Sequence, residues 1–401
     1  MQLWKGWFFS SLLALAGCCT ADSAAAAGSF RGVWVATVEN LDFPVNKSSA
    51  QFKSSFSLLA RKLAAKNCNA MIFQVRSNCD AFYPGKLAPY SRWMTGIEGR
   101  GFRNFDPMAF MIAECRRNGM EFHAWFNPYR VVRSTKLTKQ QYLATLHPDN
   151  FARKNPDCVL AVELGKNTRS LMLDPGNPAV IRHLVEVVRD AALRYAPDAI
   201  HFDDYFYPYD GNVPDKGSFR KYNPAKLSLA DWRRNNVNTL IRAVHIELEK
   251  INRSRKGGKI QFGISPFGIW RNRTKNFPYG SQTSGKESWS VQFADSRAWV
   301  KNNWIDYIVP QIYWHRAHKQ APFTPLLDWW CSTVRGTRVK LYIGHALYRF
   351  GTPGWGGNEL RDQLRLVRSR REAAGSVLFS SRHLISPANA ATRQGVSGIW
   401  K

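Results

Sequence analysis

From Arg31 onward the chain alternates short apolar runs with longer amphipathic ones, eight times over. The short runs are residues 32–38, 70–76, 121–126, 199–203, 260–265, 307–313, 340–345 and 376–380. Most are nearly continuous in apolar residues, as expected of strands covered on both faces. Between them lie helix-period segments at 52–66, 108–118, 178–195, 231–250, 291–303, 324–334 and 358–374. Phe52, Phe56, Leu59 and Leu63 make one helical stripe. Gly119 closes the second helix, and Pro178 opens the third. Eight such alternations predict an α/β protein, a (β/α)8 TIM barrel in a single domain. A doubly wound open sheet is the runner-up, weakened because no glycine-rich nucleotide loop follows the first strand.

The first 28 residues stand apart. Lys5 precedes an apolar stretch too short to span a bilayer, and Leu15-Ala16-Gly17-Cys18 fits a bacterial lipobox. The expected organisation is a lipoprotein signal peptide at 1–17, a lipidated Cys18 with a small-residue tether at 18–29, and the barrel at 30–401. A simple signal peptide cut near residues 24–27 is the alternative. Cys19 after Cys18 favours the periplasmic side of the outer membrane. The net charge of +28 would suit nucleic acid, but export argues against that partner. Anionic envelope material fits better, and a merely solvated surface stays open. Cys68, Cys79, Cys115, Cys158 and Cys331 match no zinc or redox spacing and read as buried small hydrophobes.

Alternation within each strand sorts the side chains. In residues 199–203, Ile200 and Phe202 should face the helices, and His201 and Asp203 the interior. By the same rule Gln74, Arg76, His123, Trp125, Asn127, Gln261 and Ser265 point inward, and Gln311 shares a face with Tyr313. Polar groups thus gather toward the C-terminal strand ends, where barrel active sites lie. For any single member, such as His123, a hydrogen-bonded interior role is an equal reading. The segments 78–105, 130–169, 205–229 and 271–287 are the long loops that would build the site.

The sequence His201-Phe-Asp-Asp-Tyr-Phe-Tyr-Pro-Tyr209 sets two adjacent carboxylates in aromatic surroundings. Further rings near strand ends are Trp125, Tyr129, Tyr205, Tyr313, Trp314, Tyr348 and Trp355. Aromatic faces stack on the C–H faces of sugars, though some must simply pack the core. Glycoside hydrolysis needs a carboxylic acid and a carboxylate. Asp203 is the expected nucleophile or base. Asp204 begins on the opposite face but can turn inward at the strand end. Asp80, Asp42 and Glu39 are the other candidates for the acid, and its source on another strand is the expectation. Asp174, in Leu-Asp-Pro-Gly, reads as a turn residue. His315 and His318 lack a carboxylate neighbour, so no metal is expected, and carboxylate catalysis calls for no cofactor.

The stretches FRGVWVATVENLDFP, FQVRSNCDAFYP, HAWFNPYRV, HFDDYFYP, ISPFGIWRNR, PQIYW and LYIGHALYR resemble the bacterial glycosyl hydrolase-like family 10 across nearly the whole chain after the leader. The resemblance implies a TIM barrel acting on bacterial cell-wall glycan. For some members it implies peptidoglycan strands stripped of stem peptides, and partnership with the division machinery. It carries over Asp42, Asn127, Arg130, Asp203, Asp204, Gln311 and Tyr313. Arg76, Asn127, His201, Gln311 and Tyr313 are then expected to hold sugar hydroxyls and acetamido groups, with Trp125, Tyr129, Arg130, Tyr205 and Trp314 completing the substrate contacts. The fifth-strand acid of broader amylase-like barrels has no counterpart in GISPFGIW. A glycan-binding barrel without turnover is the alternative function.

Overall fold

The computed structural model describes residues 29–356, 358–386, 396 and 400. The lipobox, Cys18 and most of the tether lie outside the described residues, as does most of the chain beyond 386. Among the described residues eleven strands are formed: β1 (Phe30–Val35), β2 (Ala70–Arg76), β3 (Glu121–Phe126), β4 (Arg130–Thr135), β5 (Val159–Gly165), β6 (Thr168–Leu173), β7 (Ala199–Phe202), β8 (Gln261–Ile264), β9 (Tyr307–Ile308), β10 (Lys340–Ala346) and β11 (Ala373–Phe379). Eight of them close a parallel barrel in the order β1-β11-β10-β9-β8-β7-β3-β2. Helices Ser49–Ala64, Pro107–Arg117, Pro178–Tyr195, Leu229–Ser254, Ser296–Lys301, Phe323–Val334, Glu359–Arg368 and Ser381–Ile385 follow the barrel strands in turn. The fold is a (β/α)8 TIM barrel.

Two apolar layers result from the strand alternation. Met71, Phe73, Val75, Phe122, Ile200, Phe202, Phe262, Ile264 and Ile308 pack outward against Phe52, Phe56, Leu184 and Val187 of the helices. Trp34, Ile72, Trp125, Tyr307, Val309, Tyr342 and Val377 fill the barrel instead. Truncating a fully buried ring such as Phe56 should cost about 3–5 kcal/mol. Gly263 is required by close approach: a Cβ there would lie 1.9 Å from the Tyr307 ring.

Helix starts follow local chemistry. Asp106 accepts from the N–H groups of Met108 and Ala109, and Asn177 from that of Ala179, each ahead of a proline at the first helical position. Gly119 adopts φ +68° after the second helix, as its position predicts.

Three expectations change. The first strand ends at Val35 rather than 38, because a side chain intercepts its backbone. Gln74 Oε1 accepts from the N–H groups of Thr37 (3.0 Å) and Val38 (2.9 Å), and residues 38–40 form a 3-10 turn. The sixth strand shrinks to two residues, since Pro310 has no N–H for the ladder. Residues 130–169 are not merely a loop: β4, β6 and β5 form a separate antiparallel sheet inserted between β3 and β7. Its strands are only partly buried, and their apolar runs, as in Val159–Val162 and Leu171–Leu173, are too short to stand out as strands within a long loop.

Candidate active site

A cleft of about 420 Å³ opens at the C-terminal end of the barrel. Asp203 and Asp204, just past β7, both line it. Trp34, Gln74, Trp125, Gln311, Tyr313 and Phe379 come from other strand ends, and Arg130 and Arg133 from the inserted sheet. Tyr205, Tyr209, Phe267, Trp314, Tyr348 and Arg349 add walls from the loops.

The Asp pair is buried, each residue less than a tenth exposed. Asp203 Oδ1 receives the Asp204 N–H at 2.9 Å and the Gln311 Nε2–H at 3.1 Å. Gln311 is itself fixed by donating to Ser265 O at 2.9 Å. Tyr209 donates its hydroxyl to Asp204 Oδ2. Loss of water raises the pKa of Asp203, opposed chiefly by the Arg130 cation and then by the Asp204 N–H and Gln311. Asp204 is raised well above the usual carboxylate range, first by burial and then by the charge of Asp203. Two carboxyls this close share their titration, and the charge of Asp203 makes Asp204 the one that holds its proton more tightly. Arg130 lies 4.0 Å over the Tyr205 ring, which holds its charge beside the pair.

The other expected site residues divide. Glu39 reaches the cleft, but its side chain is half-exposed and 3.4 Å from Arg133. Asp42 does not face the cleft. It ties two chain segments together, accepting from Ala36 N (2.8 Å), Ser380 Oγ (2.7 Å) and Arg382 N (3.1 Å). Asp80 is likewise withdrawn, accepting from Ser91 Oγ at 2.5 Å and Asn78 N at 3.0 Å. Neither expectation of a catalytic acid at these positions fits the geometry, since the backbone turns both carboxylates into loop-bracing contacts. Of the expected partners from other strands, only Glu39 lines the cleft, where the described carboxylates are Asp203, Asp204 and Glu39.

His201 faces the barrel interior as alternation requires, but beneath the cleft. Its Nε2 lies 2.9 Å from Ser265 Oγ and 3.3 Å from Trp34 Nε1, and its Nδ1 lies 3.0 Å from Tyr307 OH. Burial pushes its pKa well below the usual range, so it stays neutral. Arg76 and Asn127 are buried under the site rather than lining it; Asn127 Oδ1 accepts from Trp125 Nε1 at 2.7 Å and so orients a cleft residue. Tyr129 lines an apolar groove next door, sharing Arg130, Arg133, Tyr205 and Tyr209 with the cleft. Asp174 makes its turn, accepting from Gly176 N at 2.9 Å. The five described cysteines are free and buried.

Sequence reasoning passed over Arg133, Phe267 and Arg349 as site residues. Phe267 and Arg349 stand in two of the motifs quoted above. Nothing local marks Arg133, whose place depends on the inserted sheet.

A profile of the family Glycosyl hydrolase-like 10 matches residues 29–358. The chain is 38% identical over 368 residues to glycosyl hydrolase YngK of Bacillus subtilis, spanning 88% of this chain and 68% of that protein. It is 37% identical over 390 residues to glycosyl hydrolase DigH of Escherichia coli K12, spanning 92% and 85%. Among solved structures, the glycoside hydrolase domain of PgaB (BpsB) from Bordetella bronchiseptica superposes with a TM-score of 0.54 at 14% identity, covering 92% of this chain and 99% of that one. The α-L-fucosidase isoenzyme 2 from Paenibacillus thiaminolyticus gives 0.52 at 11%, covering 93% and 49%. Both likenesses concern the barrel. Matched along most of its length by profile and by relatives, the chain belongs to the glycosyl hydrolase-like 10 family.

Proposed function

We propose that this chain is a glycosidase acting on bacterial cell-wall glycan, namely peptidoglycan strands that lack stem peptides. The observation that carries the reading is the buried Asp203–Asp204 pair in an aromatic cleft, where burial and then the charge of Asp203 raise the pKa of Asp204. Cleavage of a glycosidic bond demands an acid that protonates the leaving oxygen, and a raised pKa suits Asp204 to that task. Trp34, Trp125, Tyr205 and Tyr313 offer ring faces for sugars. Arg130, Arg133 and Arg349 give the walls positive charge. A strand without stem peptides bears a free lactyl carboxylate on every second sugar, which such walls would attract. A lipid anchor at Cys18, on the periplasmic side of the outer membrane, would hold the barrel beside this polymer. Partnership with the division machinery rests on the family resemblance alone.

The test is incubation with peptide-free glycan strands and assay of new reducing ends, parent against Asp204→Asn. A strand-binding barrel without turnover is the second reading, favoured by the lack of a carboxylate at the end of β8, the fifth barrel strand. Binding without new ends would establish it. Recovery in the membrane fraction, lost on Cys18→Ala, tests the anchor.

A further inference from the structure

Two carboxyl groups that work by flanking a sugar stand roughly 5–9.5 Å apart on opposite sides of the scissile bond. Asp203 and Asp204 do not. They are consecutive residues at the end of one strand, and the Asp204 N–H already bonds the Asp203 carboxylate at 2.9 Å. The other strands contribute Gln74, Tyr313, Trp34 and Phe379 to the cleft lining, none of which is acidic. Glu39 is the remaining described carboxylate of the cleft, and its side chain is 54% exposed and paired with Arg133. An exposed, cation-paired carboxylate is poorly made to be a nucleophile or a high-pKa acid. One wall therefore holds both buried carboxyls, and the attacking atom must come from elsewhere.

Resting on the glycosidase reading above, we propose that the substrate itself supplies the nucleophile: the sugar over Asp203 and Asp204 is a 2-acetamido sugar whose carbonyl oxygen attacks its own anomeric carbon. In the first step that oxygen forms a bond to C1. The glycosidic C1–O bond breaks, its electron pair leaves with the departing oxygen, and Asp204 protonates that oxygen. The product is a bicyclic oxazolinium ion. Asp203 accepts a hydrogen bond from its N–H and balances its charge. In the second step water attacks C1 and gives a proton to the Asp204 carboxylate. The C1–O bond to the former amide opens, the acetamido group is restored, and the configuration at C1 is retained. No other reactant enters.

The site provides for each part. Both protein donors to Asp203 fall on Oδ1, which favours the anion needed to hold the amide N–H. Tyr209 steadies Asp204. Trp34, Trp125 and Phe379 give apolar surface for the acetamido methyl group.

The experiment compares peptide-free glycan strands with the same strands chemically de-N-acetylated, with the anomer of the first product read by NMR. Expected are retention, a rate on de-N-acetylated strands lower by roughly 10²-fold or more, and competitive inhibition by GlcNAc-thiazoline, a stable mimic of the oxazolinium. Inversion, equal rates on both polymers, or an Asp203–glycosyl adduct trapped by a 2-fluoro sugar would overturn the substrate-assisted route and leave the glycosidase reading standing. No cleavage of either polymer would overturn both.

Discussion

The backbone N–H of Asp204 donates to the carboxylate of Asp203 at 2.9 Å, so the residue whose own pKa burial and its neighbour's charge raise also stabilises that neighbour's charge. The same contact places the two carboxyls on one wall. Each then has a different task, and the pH behaviour of the protein should report both.

Asp204→Asn should lower kcat on peptide-free strands by about 10²–10⁴-fold, the usual worth of a positioned acid. It should also stabilise the fold. A carboxyl whose folded pKa is raised binds its proton more tightly folded than unfolded. Burial, and then the Asp203 charge, therefore cost stability at neutral pH, and the cost fades as pH falls toward the unfolded value near 3.8. Thermal unfolding at pH 7.5 should show a gain on the order of 1 kcal/mol, roughly 2 °C, which shrinks at pH 4. A lower Tm at both pH values would contradict this reading.

The rate should follow a bell in pH. The acid limb marks loss of the Asp203 anion and the basic limb loss of the Asp204 proton. Arg130 lowers the pKa of Asp203, so Arg130→Met should move the acid limb of kcat/KM to higher pH. An unmoved limb would remove Arg130 from the electrostatics of the pair.

Asp42→Asn and Asp80→Asn should destabilise without acting on chemistry. Asp42 gathers three donors, one from six residues upstream and two from the distant segment at 380–382. Both Asp42 oxygens accept, so an Asn amide N–H would face a buried donor and leave it unpaired, at a cost of about 1–3 kcal/mol that outweighs any relief of the buried charge. Denaturant midpoints should fall, while kcat of the folded fraction stays within about tenfold of the parent. A kcat loss matching that of Asp204→Asn would restore Asp42 or Asp80 as the acid.

Glu39→Gln is the sharper contrast among the cleft carboxylates. Its ion pair with Arg133 is exposed and worth about 0–1 kcal/mol. Stability should hardly move, and kcat should fall by less than about tenfold. Steady-state kinetics beside Asp204→Asn would expose a larger role at once.

Trp125 stands in the cleft because Asn127 holds its indole N–H at 2.7 Å. Asn127→Ala should free the ring and raise KM by about three- to tenfold, with little change in kcat. A fall in kcat with KM unchanged would mean that Asn127 meets the reacting atoms instead.

The barrel, its interior polar row and the place of Asp203 were legible in the chain because they obey local periods. A buried strand repeats every two residues, and Ile200 and Phe202 meet the helices just as His201 and Asp203 turn from them. Where strands end, the period ends too. Gln74 stops β1 through its side chain, and Pro310 stops β9, so neither boundary shows in apolar pattern. The sheet of β4, β5 and β6 did not stand out in sequence because its apolar runs are short and its strands only partly buried.

What the sequence determined by itself was therefore the architecture and the wall that carries Asp203, since burial and alternation are written residue by residue. Tertiary structure alone decided that Asp204 turns into the same cleft, that Asp42 and Asp80 brace loops instead, and that Arg130 and Arg133 reach across from an inserted sheet. Each of these depends on where the backbone goes after a strand ends, and that is set by contacts between segments far apart in the chain.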